Sequence, residues 1–133
     1  MLADFNWAGA VAAAVTAMVI GFVWYMPAVF GTAWMNALGK TMEQLGSPKV
    51  AVSNALVMNL ISAVVLTHAI GAMGADTLVS ALHVAGGLSL GLIVTNQLMR
   101  DRFHGSSGKL SLINGANTVV TYLAMGAVIA LVG

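Results

Sequence analysis

The side chains of this chain with the clearest potential for recognition chemistry are neutral and polar. In the last apolar segment they recur at three- and four-residue intervals, which places them on one face of a helix. An earlier apolar segment adds two more. The set comprises Asn59, Ser62, Asn114, Asn117, Thr118, Thr121 and Tyr122. Amides and hydroxyls hydrogen-bond without carrying charge. We expect bonds between helices, with a polar pocket or narrow solute path as the alternative.

Two histidines could do different chemistry. His68 and His83 lie seven or eight residues on either side of Ala75 and Asp76, so a helical hairpin would place them at similar depth. Paired imidazoles can bind a metal or ligate a haem. No HxxxH or HExxH spacing supports such a site, and we expect the two rings to make helix or water contacts. The sequence therefore predicts no cofactor and no metal, and the histidine pair is kept as a third hypothesis.

Several kinds of chemistry are disfavoured by what the chain lacks. Without cysteine it has no thiolate nucleophile and no Cys-based metal site. The middles of its apolar segments contain no Asp, Glu, Lys or Arg, which argues against a proton-coupled pump or an acidic-ring cation channel. No nucleophile, base and orienting group form a set, so we predict that the chain is not an enzyme. A net charge of +1 gives no indication of nucleic-acid binding.

The elements that position these residues are predicted to be membrane helices. Of the 133 residues 59% are hydrophobic and 7% charged, against about 25% charged in a soluble domain. Four apolar segments, at about residues 5–26, 50–72, 78–99 and 110–132, each approach the ~20 residues that cross a bilayer. We predict an all-α, single-domain bundle over residues 1–133. Residues 1–4 lack a basic n-region, so we expect the first helix to be retained, with a cleaved signal as the alternative.

The basic residues give the orientation. All of them fall in the connections after the first and third segments: Lys40, Lys49, Arg100, Arg102 and Lys109. By the positive-inside rule these connections are cytoplasmic, so both termini and the turn at residues 71–77 are predicted to lie outside. A bacterial inner membrane is the expected location. Residues 100–109 are predicted to form a polar turn that contains a solvated His104.

The first of these connections is predicted to lie flat on the membrane. Residues 28–38 have helical spacing with an apolar face, typical of an interfacial amphipathic helix. Ser47 and Pro48 resemble the N-cap and first residue of the second span. The aromatic cluster at this boundary is interpreted as an interfacial anchor, with a lipid or peptide groove as the alternative. The predicted anchor consists of Trp24, Tyr25, Pro27, Phe30 and Trp34.

Small residues indicate where helices can approach closely. One stripe lies on the first span and a GxxxG pattern lies on the third: Ala10, Ala14, Ala17 and Gly21, then Gly87 and Gly91. The partner helix could belong to the same chain or to another protomer. A four-helix chain this short has little interior of its own, so we predict a homo-oligomer or attachment to a larger membrane complex.

Much of the chain resembles a known family. Gly21, the Trp24-Tyr25-x-Pro27 string, Phe30-Gly31 and Trp34 are similar to the signature of a family of small four-helix membrane proteins of bacteria and fungi, classed as a domain of unknown function. Lys109-Leu-x-Leu-Ile-Asn114 and the Tyr122…Met125-Gly126 sequence resemble the same family. The resemblance implies a four-span membrane fold and implies no activity.

Three functions remain as expectations. The first is a structural or accessory component that packs in the lipid bilayer against itself or a larger complex. The second is a transporter or channel for a small solute, an ion or a lipid, using the neutral polar face of the fourth span. The third is a metal- or haem-binding membrane protein that uses His68 and His83.

Overall fold

A computed structural model describes residues 4–133 and shows a bundle of helices without strands in that range. The expectation about a signal at residues 1–4 therefore rests largely on positions outside the described residues. The α-helices are α1 Trp7–Trp24, α2 Thr32–Leu38, α3 Pro48–Ala72, α4 Leu78–Leu88, α5 Thr95–His104 and α6 Gly108–Leu131. A π-helical turn at Pro27–Gly31 precedes α2, a 3₁₀ turn at Met42–Leu45 precedes α3, and a π-helical segment at Ser89–Val94 joins α4 to α5.

Four of these helical stretches are long and apolar enough to cross a membrane. They are α1, α3, the continuous helix Leu78–His104 and α6. This confirms the predicted all-α fold with four spans and a short helix after the first. The second span begins at Pro48 directly after an extended Ser47, as predicted, but the Ser47 side chain makes no capping hydrogen bond.

The predicted polar turn at residues 100–109 is wrong for its first half. Helix α5 continues through Arg100 to His104, and Gly105 then ends it with a φ of 70°, a conformation that glycine adopts without strain. Arg102 and His104 occupy the last helical turn, where positive charge is favoured by the helix dipole. Only residues 105–107 connect α5 to α6, because the Ser107 side chain caps the next helix at once.

Neighbouring spans are antiparallel, and α6 is the central helix. It packs most extensively against α1 on one side and α4 on the other, whereas α3 packs mainly against α1. Asn6 donates to the carbonyls of Ile129 and Val132, and Trp24 donates to that of Ile113, so opposite ends of α1 and α6 meet. We call the end that carries all five Lys and Arg residues the basic end, and the opposite one the turn end.

The core is concentrated toward the turn end. There Gly126 lets α6 approach α4 so closely that a Cβ atom would lie 2.7 Å from the Cβ of Ala85 and 3.2 Å from the carbonyl oxygen of Ala81. The buried cluster around it is built largely from small side chains with a few large ones, among them Ala13, Ala14, Ala63, Leu66, Ile70, Met125 and Ile129.

Helix α3 leaves the bundle toward the basic end. Its buried residues are Ala63, Leu66, Thr67 and Ile70, all in its second half. Across residues 48–60 every side chain is exposed except Ala55 and Asn59, which are half-buried. The divergence of α3 opens a space between α1, α3 and α6 that the rest of the bundle does not fill.

Candidate functional site

The space beside α3 is a cavity of about 410 Å³. We call it the central cavity. Its polar wall consists of Tyr25, Asn59, Asn117 and Thr121. Its apolar wall consists of Ala17, Met18, Gly21, Phe22, Ala51, Val52 and Ala55. The cavity thus contains amides, hydroxyls and apolar groups, and none of the residues on its walls carries a formal charge.

The central cavity extends along the bundle from Tyr25 and Ala51 toward Asn59 and Thr121. Ala51 and Asn59, both on its α3 wall, are eight residues apart, which corresponds to ~12 Å along a helix at 1.5 Å per residue. Tyr25 lies just beyond the end of α1, whereas Asn59 and Thr121 lie further toward the turn end. The two amides therefore lie further from the basic end than Tyr25 and Ala51 do.

The two amides of the central cavity are only partly hydrogen-bonded. Asn59 donates from Nδ2 to the Met18 sulfur at 3.2 Å, and Asn117 accepts at Oδ1 from the Thr121 hydroxyl at 3.4 Å. Within residues 4–133 neither Oδ1 of Asn59 nor Nδ2 of Asn117 has a hydrogen-bond partner. The cavity therefore presents a free acceptor and a free donor group in apolar surroundings.

Tyr25 also borders a second cavity, of about 420 Å³, under the segment that follows α1. This interfacial cavity is lined by Tyr25, Pro27, Gly31, Thr32, Trp34, Met35, Asn36, Met42 and Leu45. The Tyr25 hydroxyl donates to Oδ1 of Asn114 at 2.7 Å, and its ring meets that of Trp34 edge-on with centroids 5.3 Å apart. Tyr25 therefore stands where the two cavities adjoin.

The structure divides the predicted polar face into separate groups. Asn117 and Thr121 join Asn59 in the central cavity, whereas Ser62 and Tyr122 line another cleft, of about 260 Å³, between α3 and the third span. Asn114 accepts from Tyr25, and its backbone carbonyl accepts from the Thr118 hydroxyl at 3.1 Å. The divergence of α3, which the sequence did not predict, accounts for this division.

The aromatic residues predicted to anchor the end of α1 contact other parts of the chain. Trp24 donates from Nε1 to the Ile113 carbonyl at 3.1 Å, and its ring lies 4.5 Å from that of Phe30. Pro27 is exposed and begins the π-helical turn. Gly31 ends that turn, so close to the backbone of Tyr25 and Met26 that a side chain there would clash. The cluster thus fixes the end of α1 against α6.

The predicted small-residue stripes have different environments. Ala10, Ala14 and Ala17 are buried, and Gly21 lines the central cavity. Gly87 and Gly91 lie exposed in an open groove on the third span, where a Cβ atom would meet nothing within 4 Å. They do not bring helices of this chain together. The glycine that does, Gly126, could have been found by its place among small and apolar residues of the last span.

The two histidines predicted to share a depth are both exposed. His83 lines the groove that contains Gly87 and Gly91, and its Nδ1 lies 2.8 Å from the Val79 carbonyl of its own helix. His68 is not among the residues of that groove. In the part of the chain that the structure describes, no group of three or more His, Asp or Glu could hold a metal ion.

A polar cluster at the basic end was missed from the sequence. The carboxylate of Asp101 accepts from the hydroxyl of Ser111 at 2.7 Å and from the amide of Gln97 at 3.4 Å. Arg102 donates to the same hydroxyl at 3.2 Å. These bonds connect α5 to the first turns of α6. The signal was the four-residue spacing of Gln97 and Asp101, which indicates one helical face.

One family model matches residues 8–130, nearly the whole chain, and its description is "Protein of unknown function (DUF1761)". No curated protein and no solved structure matches the chain.

Proposed function

The chain belongs to the DUF1761 family, and from its geometry we propose that it is a membrane channel or carrier for a small uncharged polar solute. The proposed binding site is the central cavity. The observation that carries the proposal is the pair of unpartnered groups in it, the Asn59 carbonyl oxygen and the Asn117 amide nitrogen. Polar groups at membrane depth are costly to leave unpaired, because lipid tails offer no hydrogen bonds.

The lining of the cavity favours a particular class of solute. A molecule with one donor and one acceptor would pair with Asn59 and Asn117, while its apolar part would face Met18, Phe22 and Val52. An ion would leave water without meeting an opposite charge, which is strongly unfavourable in an apolar site. The proposed solutes are therefore small amides and alcohols.

The proposal can be tested in proteoliposomes by stopped-flow light scattering after an osmotic step. The probes are urea, acetamide and glycerol, with glycine as a charged comparison. We expect the protein to speed entry of at least one neutral probe and to leave glycine unchanged. Replacing either cavity amide, as in Asn59→Leu, should lower that flux about tenfold, the equivalent of one hydrogen bond of ~1.4 kcal/mol.

The matched control is Asn54→Leu. Asn54 is also an amide on α3, but it is exposed and does not line the central cavity. This variant should keep the flux of the unaltered protein. If the protein moves no neutral probe faster than protein-free liposomes do, or if Asn54→Leu reduces flux as much as Asn59→Leu, the proposed function is wrong.

A second candidate function is that of an accessory component in an oligomer or a larger membrane complex. It is favoured by the groove at Gly87 and Gly91, where two exposed glycines would let a helix of another protomer approach closely. Native mass spectrometry in mild detergent tests it. Gly87→Leu should release any partner that packs there, whereas Leu112→Ala, an exposed change on another helix, should not. An unaltered assembly in both variants would eliminate this surface as the interface.

We also propose that the basic end faces the cytoplasm of a bacterial cell and that both termini lie outside. The proposal is supported by the five basic residues, all at one end of the bundle. Single cysteines at Ser106 and Asp76, at opposite ends, can be probed in intact cells with a membrane-impermeant thiol reagent. We expect labelling at position 76 and protection at position 106, and the reverse pattern would invert the topology.

A further inference from the structure

We propose that the Tyr25 side chain closes the passage between the central cavity and the interfacial cavity, and that its hydrogen bond to Asn114 holds it closed. Tyr25 would then determine how solute reaches the binding site from the basic end. This role in solute entry rests on the proposed function. Its geometric part, a closed passage, can be tested without any solute.

The first observation is the position of Tyr25 between the two spaces. Among the described residues, Tyr25 is the one that appears on the walls of both cavities. The central cavity leads toward Asn59 and Thr121, and the interfacial cavity lies under α2 and the 3₁₀ turn. Its side chain thus borders two spaces of about 410 and 420 Å³.

The second observation is how the ring is held. The phenol makes one hydrogen bond, to Asn114 on α6, and one edge-on contact, to Trp34 on α2. Two different elements therefore determine its position. Because the two contacts are on different helices, a movement of α2 relative to α6 would change at least one of them.

The third observation is where the residue lies in the chain. Tyr25 follows the last residue of α1, and Pro27 begins the π-helical turn two residues later. Residues at the end of a helix can absorb changes of backbone angle that a helix interior resists. The ring is thus attached at a junction between two helical elements.

The experiment measures access to the central cavity by cysteine labelling. The chain has no cysteine of its own, so a single one placed at Thr121, on the deep wall, reports alone. A membrane-impermeant methanethiosulfonate is added from the basic-end side of oriented vesicles, and the modification rate is measured. The same rate is then measured with Tyr25→Phe, which keeps the ring and removes the hydroxyl, and with Asn114→Ala, which removes the acceptor.

We expect either substitution to raise the rate at position 121 about tenfold, corresponding to ~1.4 kcal/mol for one lost bond. The double variant should label no faster than either single one, because both remove the same bond. Tyr25→Ala should raise the rate further. A cysteine at Asn36, on the interfacial wall, should react equally fast in every background, and one at Val15, an exposed position on α1 away from both cavities, should not respond.

The inference is overturned if the rate at position 121 is the same in all Tyr25 and Asn114 variants, or if no variant labels there at all. The two single variants remove the same bond from opposite sides, so if one of them misfolds the other still tests the inference. The outcomes also separate the two proposals. If the protein moves solute but the labelling rate at position 121 does not depend on Tyr25, the closed passage is wrong and the transport function stands. Labelling that depends on Tyr25 without any solute flux rejects the transport function and retains the closed passage.

Discussion

The two ends of the bundle differ in how closely their helices pack. Toward the turn end, small residues let α6 pack closely against α1 and against α4, and Ala13, Ala81 and Ala85 are completely buried. Toward the basic end, α3 diverges and two cavities open beside Tyr25. The two ends thus differ in the size of the side chains between the helices and in how closely α3 approaches the bundle.

The two ends also differ in how completely their polar side chains are hydrogen-bonded. The turn end has close packing and hydrogen bonds that satisfy both partners, as at Asn6. Beside the diverging half of α3, Asn59 and Asn117 each keep one amide atom without a hydrogen-bond partner among residues 4–133. In a membrane, packing and interhelical bonds hold helices together. We therefore expect substitutions toward the turn end to change stability and substitutions in the central cavity to change function.

The largest stability effect is expected at Gly126. A valine there would force its side chain against Ala85 and the backbone of Ala81, and such overpacking costs about 3 kcal/mol or more. Gly126→Val should lower the unfolding temperature in detergent sharply or prevent folding. Gly71→Val is the control, because that glycine is exposed with open space around it. Equal unfolding temperatures for the two variants would show that close packing at Gly126 does not hold the bundle.

A smaller loss of stability is expected from substitution of Asn6, whose side chain hydrogen-bonds to both α1 and α6. Its Oδ1 caps α1 by accepting from Gly9, and its Nδ2 donates to the last carbonyls of α6. Asn6→Ala should destabilise the protein by about 2 kcal/mol, from the lost cap and the lost bonds. Denaturant unfolding in mixed micelles measures this free energy.

Asn6→Ser separates the two contributions. A serine hydroxyl can accept from the Gly9 N–H as an N-cap, but serine has no amide to donate to Ile129 or Val132, so its destabilisation should be intermediate. If Asn6→Ser is as stable as the unaltered protein, the bonds to α6 contribute nothing and only the cap matters.

The fold was largely predictable from the sequence because its signals are local. Each signal predicts the structure of the residues around it. The signals are four apolar stretches of sufficient length, the start of α3 at Ser47-Pro48, and the sequence after Trp24. The extension of α5 to His104 was missed because polar residues in 100–104 were interpreted as a turn. Their helical spacing, with Asp101 four residues after Gln97 and bonded to Ser111, was the stronger signal.

The candidate site was predictable only in part. The three- and four-residue spacing grouped Asn117 and Thr121, which both line the central cavity, but it also included Tyr122, which lines another cleft. Helical spacing describes one helix and cannot show that a neighbour diverges. The position of α3 depends on tertiary packing of Ala63, Leu66 and Ile70. The cavity exists because this packing holds only the second half of α3 against the bundle. The role of Tyr25 between two cavities follows from the same geometry.

The smallest stability effect is expected from the cavity amides, and it separates two interpretations of the polar face. If Asn117 were there to join helices, Asn117→Leu should cost about 0.6 kcal/mol, the average for an interhelical hydrogen bond in a membrane. Its bond to Thr121 at 3.4 Å lies within α6 itself, so no contact between helices would be lost. Leucine would also fill part of an apolar-walled cavity. We expect unchanged or slightly higher stability in the micelle unfolding measurement, together with the loss of solute flux. A clear loss of stability with flux retained would instead make the amide a packing residue and return the basic end to the same structural role as the turn end.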